Sequence, residues 1–89
     1  MVGVEFPLVQ TTKYFRERVL SKRPYLKLEY CQQVIDHPIS TEVQADGRIR
    51  FWGYVSELGP KALRVVTLVD CTTIHNAFLD RGFKPEGAL

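Results

Sequence analysis

Cysteine and histidine are scarce in this chain. Cys31 and Cys71 are the only thiols, and His37 and His75 the only imidazoles. Neither set has the spacing of a zinc site or a disulfide framework, and neither cysteine stands in a CxxC pair or beside a base that would make it a nucleophile. Both thiols are read as reduced, and no metal or cofactor is expected. No apolar run approaches the roughly 20 residues that span a bilayer. Met1 to Gln10 has neither the basic start nor the apolar run of a secretory signal, so a cytoplasmic protein with no membrane partner is expected. Repeats and low-complexity segments are missing too. With 45% hydrophobic and 25% charged residues, neither disorder nor a coiled coil is favoured. Eighty-nine residues allow one domain, 1–89, with its core at about 11–83, an arm over 1–10 and a tail over 84–89.

The net charge of +2 is small, but its distribution is not even. Lys13, Arg16, Arg18, Lys22, Arg23 and Lys27 fall within fifteen residues that hold a single acid, Glu17. Leu28 to Asp46 then carries Glu29, Asp36, Glu42 and Asp46 and no lysine or arginine. Such segregation steers a polyanion toward one side of a small domain, although a solvated helix that happens to be basic has the same composition.

Helical spacing of Phe15 and Val19, after a Thr11 or Thr12 cap, predicts a first helix that ends before Pro24. Leu28, Cys31, Val34 and Ile35 form the stripe of a second helix, starting near Pro24 or Tyr25 and closed by His37-Pro38. Strands are predicted over Thr41 to Ala45, Arg48 to Val55, Ala62 to Val69 and Thr72 to Leu79. Tight turns at Asp46-Gly47 and Asp70-Cys71 join the outer pairs. Val4 to Val9 reads as an edge strand or an extended arm, because Pro7 removes a ladder donor. The fold class is therefore α+β: two N-terminal helices packed on one face of an antiparallel sheet of about four strands.

One sheet face should then be wet, and alternation along Arg48 to Val55 assigns residues to it. Ile49, Phe51 and Val55 point to the core, while Arg48, Arg50, Trp52 and Tyr54 point away. A register with Arg64 beside Trp52 adds Arg64, and pairing of Val69 with Thr72 places Val66 opposite His75 and Arg64 opposite Ala77, which adds His75. Guanidinium groups bind phosphate, Trp52 or Tyr54 stacks a base, and His75 serves as acid or base when a ribose 2′-hydroxyl attacks its phosphate. Each residue also has a plain structural reading: an ion pair of Arg64 with Asp46 or Asp80, solubilising arginines at 48 and 50, Trp52 in the core, and a hydrogen-bonded structural His75.

The span from about Lys13 to Phe83 resembles small domains related to the BrnT and RelE-type toxins. The residues that carry the likeness are Tyr14-Phe15-Arg16-Glu17-Arg18, Val34-Ile35-Asp36-His37-Pro38, Asp46-Gly47-Arg48-Ile49-Arg50-Phe51-Trp52-Gly53 and Leu63-Arg64-Val65-Val66. The resemblance implies a compact RNase fold shared with barnase-like and colicin-type nucleases, metal-independent RNA cleavage, and a neighbouring antitoxin. The histidine that such domains often carry on the first helix has no counterpart in Lys13 to Arg18. On this basis Arg64, His75 and Arg50 are the expected catalytic residues, and Arg48, Trp52, Tyr54, Arg18 and Arg81 the expected RNA-binding ones. Two alternatives stand beside the toxin: an inactive member that binds RNA or protein, and a dimerisation module that pairs as a homodimer through Trp52, Phe51 and the arm.

Overall fold

The computed structural model describes residues 10–84; the predicted arm at Val4 to Val9 and the end of the tail lie outside them. The first helix, residues 13–22, is π-helical across Phe15–Val19 and closes as an α-helix over Leu20–Lys22. Thr12 caps it: its Oγ1 accepts the Phe15 N–H at 3.1 Å and its carbonyl the Arg16 N–H at 3.1 Å. The second helix, Leu28–Asp36, starts later than predicted. Residues 24–27 have other work: the Tyr25 hydroxyl accepts the Leu79 N–H at 3.4 Å, and Leu26 is buried in the core.

Four strands follow, β1 (Ser40–Val43), β2 (Ile49–Gly53), β3 (Ala62–Thr67) and β4 (Ile74–Asp80), in a meander of order β1-β2-β3-β4. The predicted α+β arrangement, two helices on one face of a four-stranded antiparallel sheet, is the observed one. Phe15 and Val19 of the first helix, Cys31 and Val34 of the second, and Phe51, Leu63, Val65, Ile74 and Ala77 of the sheet bury one another. The second helix lies over β2 and β3 and the first beside β4. Gly53 permits the close approach: a β-carbon there would sit 3.3 Å from Val34 Cγ2. No helix among the described residues is long and apolar enough to cross a membrane.

Both tight turns are longer than predicted, the first by one residue and the second by two. The Gly47 N–H bonds the Gln44 carbonyl and the Gln44 N–H bonds the Arg48 carbonyl, with Gly47 at φ 90°. That is a type I turn followed by a left-handed residue, so only Gly47 needs positive φ and Asp46 does not. The second turn holds one residue more, the Cys71 N–H bonding the Leu68 carbonyl and the Leu68 N–H the Thr73 carbonyl, with Cys71 at φ 64°; it is braced by Asp70, whose carboxylate accepts the Thr72 and Thr73 N–H groups. These bonds, the Thr73 hydroxyl foremost, hold the Asp70 carboxyl down at about 2.

Candidate functional site

Trp52 pairs with Arg64, as the sequence predicts, so Arg50, Trp52 and Arg64 share the face turned away from the helices. Across β3 and β4 the expected register is corrected. Arg64 lies opposite Phe78 and Val66 opposite Asn76, with a bulge where Thr67 pairs with Ile74. The bulge absorbs His75 as the extra residue, and the imidazole leaves the open face. It turns to the start of the first helix, where Nδ1 and Thr12 Oγ1 share a hydrogen bond of 3.0 Å and Tyr14 stacks on the ring at 5.1 Å between centroids. A short parallel bridge fixes that meeting: the Ile74 N–H bonds the Gln10 carbonyl and the Thr12 N–H bonds the Ile74 carbonyl.

The open face is a closed network. Asp80 Oδ2 accepts Trp52 Nε1–H at 2.9 Å, Arg64 Nε–H at 3.1 Å and Arg64 Nη2–H at 2.8 Å, and Asp80 Oδ1 accepts the Gly82 N–H at 3.0 Å. These bonds, that from Trp52 foremost, hold the Asp80 carboxyl below the usual aspartate value. The Arg64 guanidinium lies 4.7 Å from the Phe78 ring and 5.5 Å from the Trp52 ring. Phe83 stacks on Trp52 at 5.1 Å and 14°, leaving Trp52 only 8% exposed. Arg50 is paired with Glu42 at 2.6 Å, while its buried Nε has no partner among the described residues. Arg48 lies 3.6 Å from Asp46. Each arginine expected on this face thus has a carboxylate beside it, and the expected stacking platform is covered.

What remains accessible lies elsewhere. Lys13, Arg16, Arg18 and Lys22 are exposed along the first helix, as are Tyr14 at its start, Arg81 after β4 and Tyr54 just beyond β2. Arg16 is tied to the Thr11 carbonyl at 2.6 Å. Burial and the Arg48 charge lower the His75 pKa below its ordinary 6.5, against a smaller opposing effect of Asp46. The imidazole is therefore neutral at physiological pH, with Nε2 its only nitrogen without a hydrogen-bond partner among the described residues. In the tautomer with Nδ1–H donating to Thr12, Nε2 accepts a proton; in the other it donates one.

The Cys31 thiol is buried and pushed up to about 12, so it is no nucleophile. Among the described residues no three His, Cys, Asp or Glu side chains gather as a metal set. Thr12, Tyr14, Phe78 and Phe83 are the participants that strand alternation missed. The cap position of Thr12 was the one signal of them, and its link to His75 depends on a bulge that alternation does not encode. Set against protein-family models, curated proteins and solved structures, the chain has no match in any of the three.

Proposed function

We propose that the protein binds RNA along its first helix and cleaves it at His75 without a metal, as a RelE- or BrnT-like toxin. The observation that carries this reading is the setting of His75: neutral, held at Nδ1 by Thr12, stacked on a half-exposed Tyr14, close enough to feel Arg48, and at the start of a helix along which Lys13, Arg18 and Lys22 are exposed. Lys13, Arg18 and Lys22 bind successive phosphates, and Tyr14 offers its outer ring face to a base. Nε2 of His75 takes the proton of a ribose 2′-hydroxyl. The oxygen attacks the adjacent phosphorus, the bond to the 5′-oxygen breaks as that oxygen takes a proton from water, His75 returns its own proton to water, and Arg48 offsets the charge that gathers on the phosphoryl oxygens. A 2′,3′-cyclic phosphate and a 5′-hydroxyl are the products. Arg50 and Arg64, held by Glu42 and Asp80, serve the sheet in this scheme rather than the reacting phosphate. A toxin of this kind would have an acidic antitoxin as its partner over the basic helix.

The test uses purified protein, end-labelled single-stranded RNA and excess chelator. Cyclic-phosphate ends should form, His75→Ala should abolish them while RNA binding by fluorescence anisotropy persists, and a 2′-deoxy substrate should bind uncut. Binding with no cutting in any of these arms reduces the protein to an RNA-binding domain; intact RNA without binding sinks the proposal.

A further inference from the structure

The bulge that turns His75 toward the first helix also places the residue after it. Regular alternation sends successive side chains of a strand to opposite faces, but Asn76 reaches the same outer edge of β4 as His75. Its Oδ1 accepts the Ala77 N–H at 2.9 Å. That N–H points away from β3, as do those of Ile74, taken by the Gln10 carbonyl, and Leu79, taken by the Tyr25 hydroxyl. Thr12, which holds the imidazole, is bridged to this edge at Ile74. Imidazole and carboxamide are thus carried along one edge, on residues whose Cα atoms are about 3.8 Å apart.

The Ala77 bond also settles the chemistry of the carboxamide. A backbone N–H only donates, so the atom it meets is the side-chain oxygen, and the other end is an NH2 group with donors alone. Asn76 Nδ2 has no hydrogen-bond partner among the described residues, and Asn76, like His75, is only partly buried. The edge therefore sets a neutral group that donates next to an imidazole nitrogen that accepts a proton. Donors on the open face are already engaged, those of Arg50 by Glu42 and those of Arg64 by Asp80.

We infer that Asn76 is a further catalytic residue, its Nδ2–H donating to a non-bridging oxygen of the phosphate whose neighbouring ribose 2′-hydroxyl gives its proton to His75. The inference rests on the cleavage reading above and adds to it the group that grips the reacting phosphate. The attacking 2′-oxygen and the non-bridging oxygens meet at one phosphorus, so a base and a donor must approach from the same side. Successive residues at a bulge do so, where those of a regular strand do not. Negative charge grows on the non-bridging oxygens as the attack proceeds, and a donor aimed at them binds the transition state more tightly than the ground state. The bond to Ala77 fixes the carboxamide before substrate arrives, so that orientation costs nothing during the reaction.

RNA with a single phosphorothioate at the cut bond, as separated Rp and Sp forms, tests the contact. Wild type should cut the form with sulfur in the Asn76-bound position more slowly, because sulfur accepts a hydrogen bond poorly. Asn76→Ala should lower kcat on ordinary RNA about 100-fold with little change in RNA affinity, and should cut the two forms at equal rates. Asn76→Asp keeps an acceptor for the Ala77 N–H but loses the donors, and should likewise lose the discrimination if the alanine variant does not fold. Independently of cutting, the Asn76 side-chain amide resonances should shift in NMR spectra when the 2′-deoxy substrate is added. Should RNA bind uncut, the cleavage reading fails and those resonances still decide whether Asn76 holds the phosphate. Unshifted Asn76 resonances in the bound protein, or a cutting wild type whose Asn76→Ala variant keeps the discrimination, overturn the assignment.

Discussion

A single carboxylate, Asp80, neutralises Arg64, orients the Trp52 indole and fixes the Gly82 turn. The arginine and aspartate side chains are 24% and 13% exposed. Losing the charge of Asp80 therefore costs less than the roughly 3–5 kcal/mol of breaking a fully buried pair. Asp80→Asn should destabilise the fold by about 2 kcal/mol in urea melts near neutral pH. Folding depresses the Asp80 carboxyl, so its contribution is complete above the unfolded aspartate value of about 3.9 and disappears as pH falls through the lower folded value. Wild type should accordingly lose more stability on acidification through that window than Asp80→Asn does. Equal acid sensitivity of the two proteins would mean that Asp80 is not the linked group.

At the scale of elements, all four strands and the β2–β3 register were legible, and the β3–β4 register beyond Thr67 was not. The pairing of Trp52 with Arg64 follows from alternation and a short connection, and nothing in the strands disturbs it. The turn keeps the predicted register as far as Thr67 and Ile74, and the bulge beyond them displaces each later partner by one, so Phe78 and not Ala77 meets Arg64, and His75 moves to the first helix. Side-chain alternation has a period of two, and a single unpaired residue defeats it. The segment after β4 was equally hidden, because the Phe83 contact depends on the turn that Asp80 ties. Phe83→Ala should uncover Trp52, red-shift its fluorescence and remove about 1 kcal/mol of stability from the aromatic pair. An unshifted emission maximum would show that Phe83 does not shield the indole.

Across the whole molecule, the charge asymmetry of the sequence becomes an asymmetry between the two sides of the sheet. The basic first helix lies beside β4, while the acidic stretch supplies the second helix and β1. On the proposed reading a polyanion meets the first side. The same arrangement separates free cations from paired ones. Lys13, Arg18 and Lys22 have no carboxylate within ion-pair distance among the described residues, whereas Arg50 and Arg64 do. Counterion release then assigns them opposite behaviour: each phosphate contact with a single strand contributes about 0.7 to the slope of log affinity against log salt. Changing Lys13, Arg18 and Lys22 together to glutamine should weaken RNA binding and flatten that slope by about 2, if each cation meets one phosphate. Arg50→Gln should leave the slope alone, since the charge it removes is already offset by Glu42. The measurement is a salt titration of RNA affinity for the three proteins. The reverse outcome, a slope that responds to Arg50 and ignores the helix, would move the RNA interface to the open sheet face.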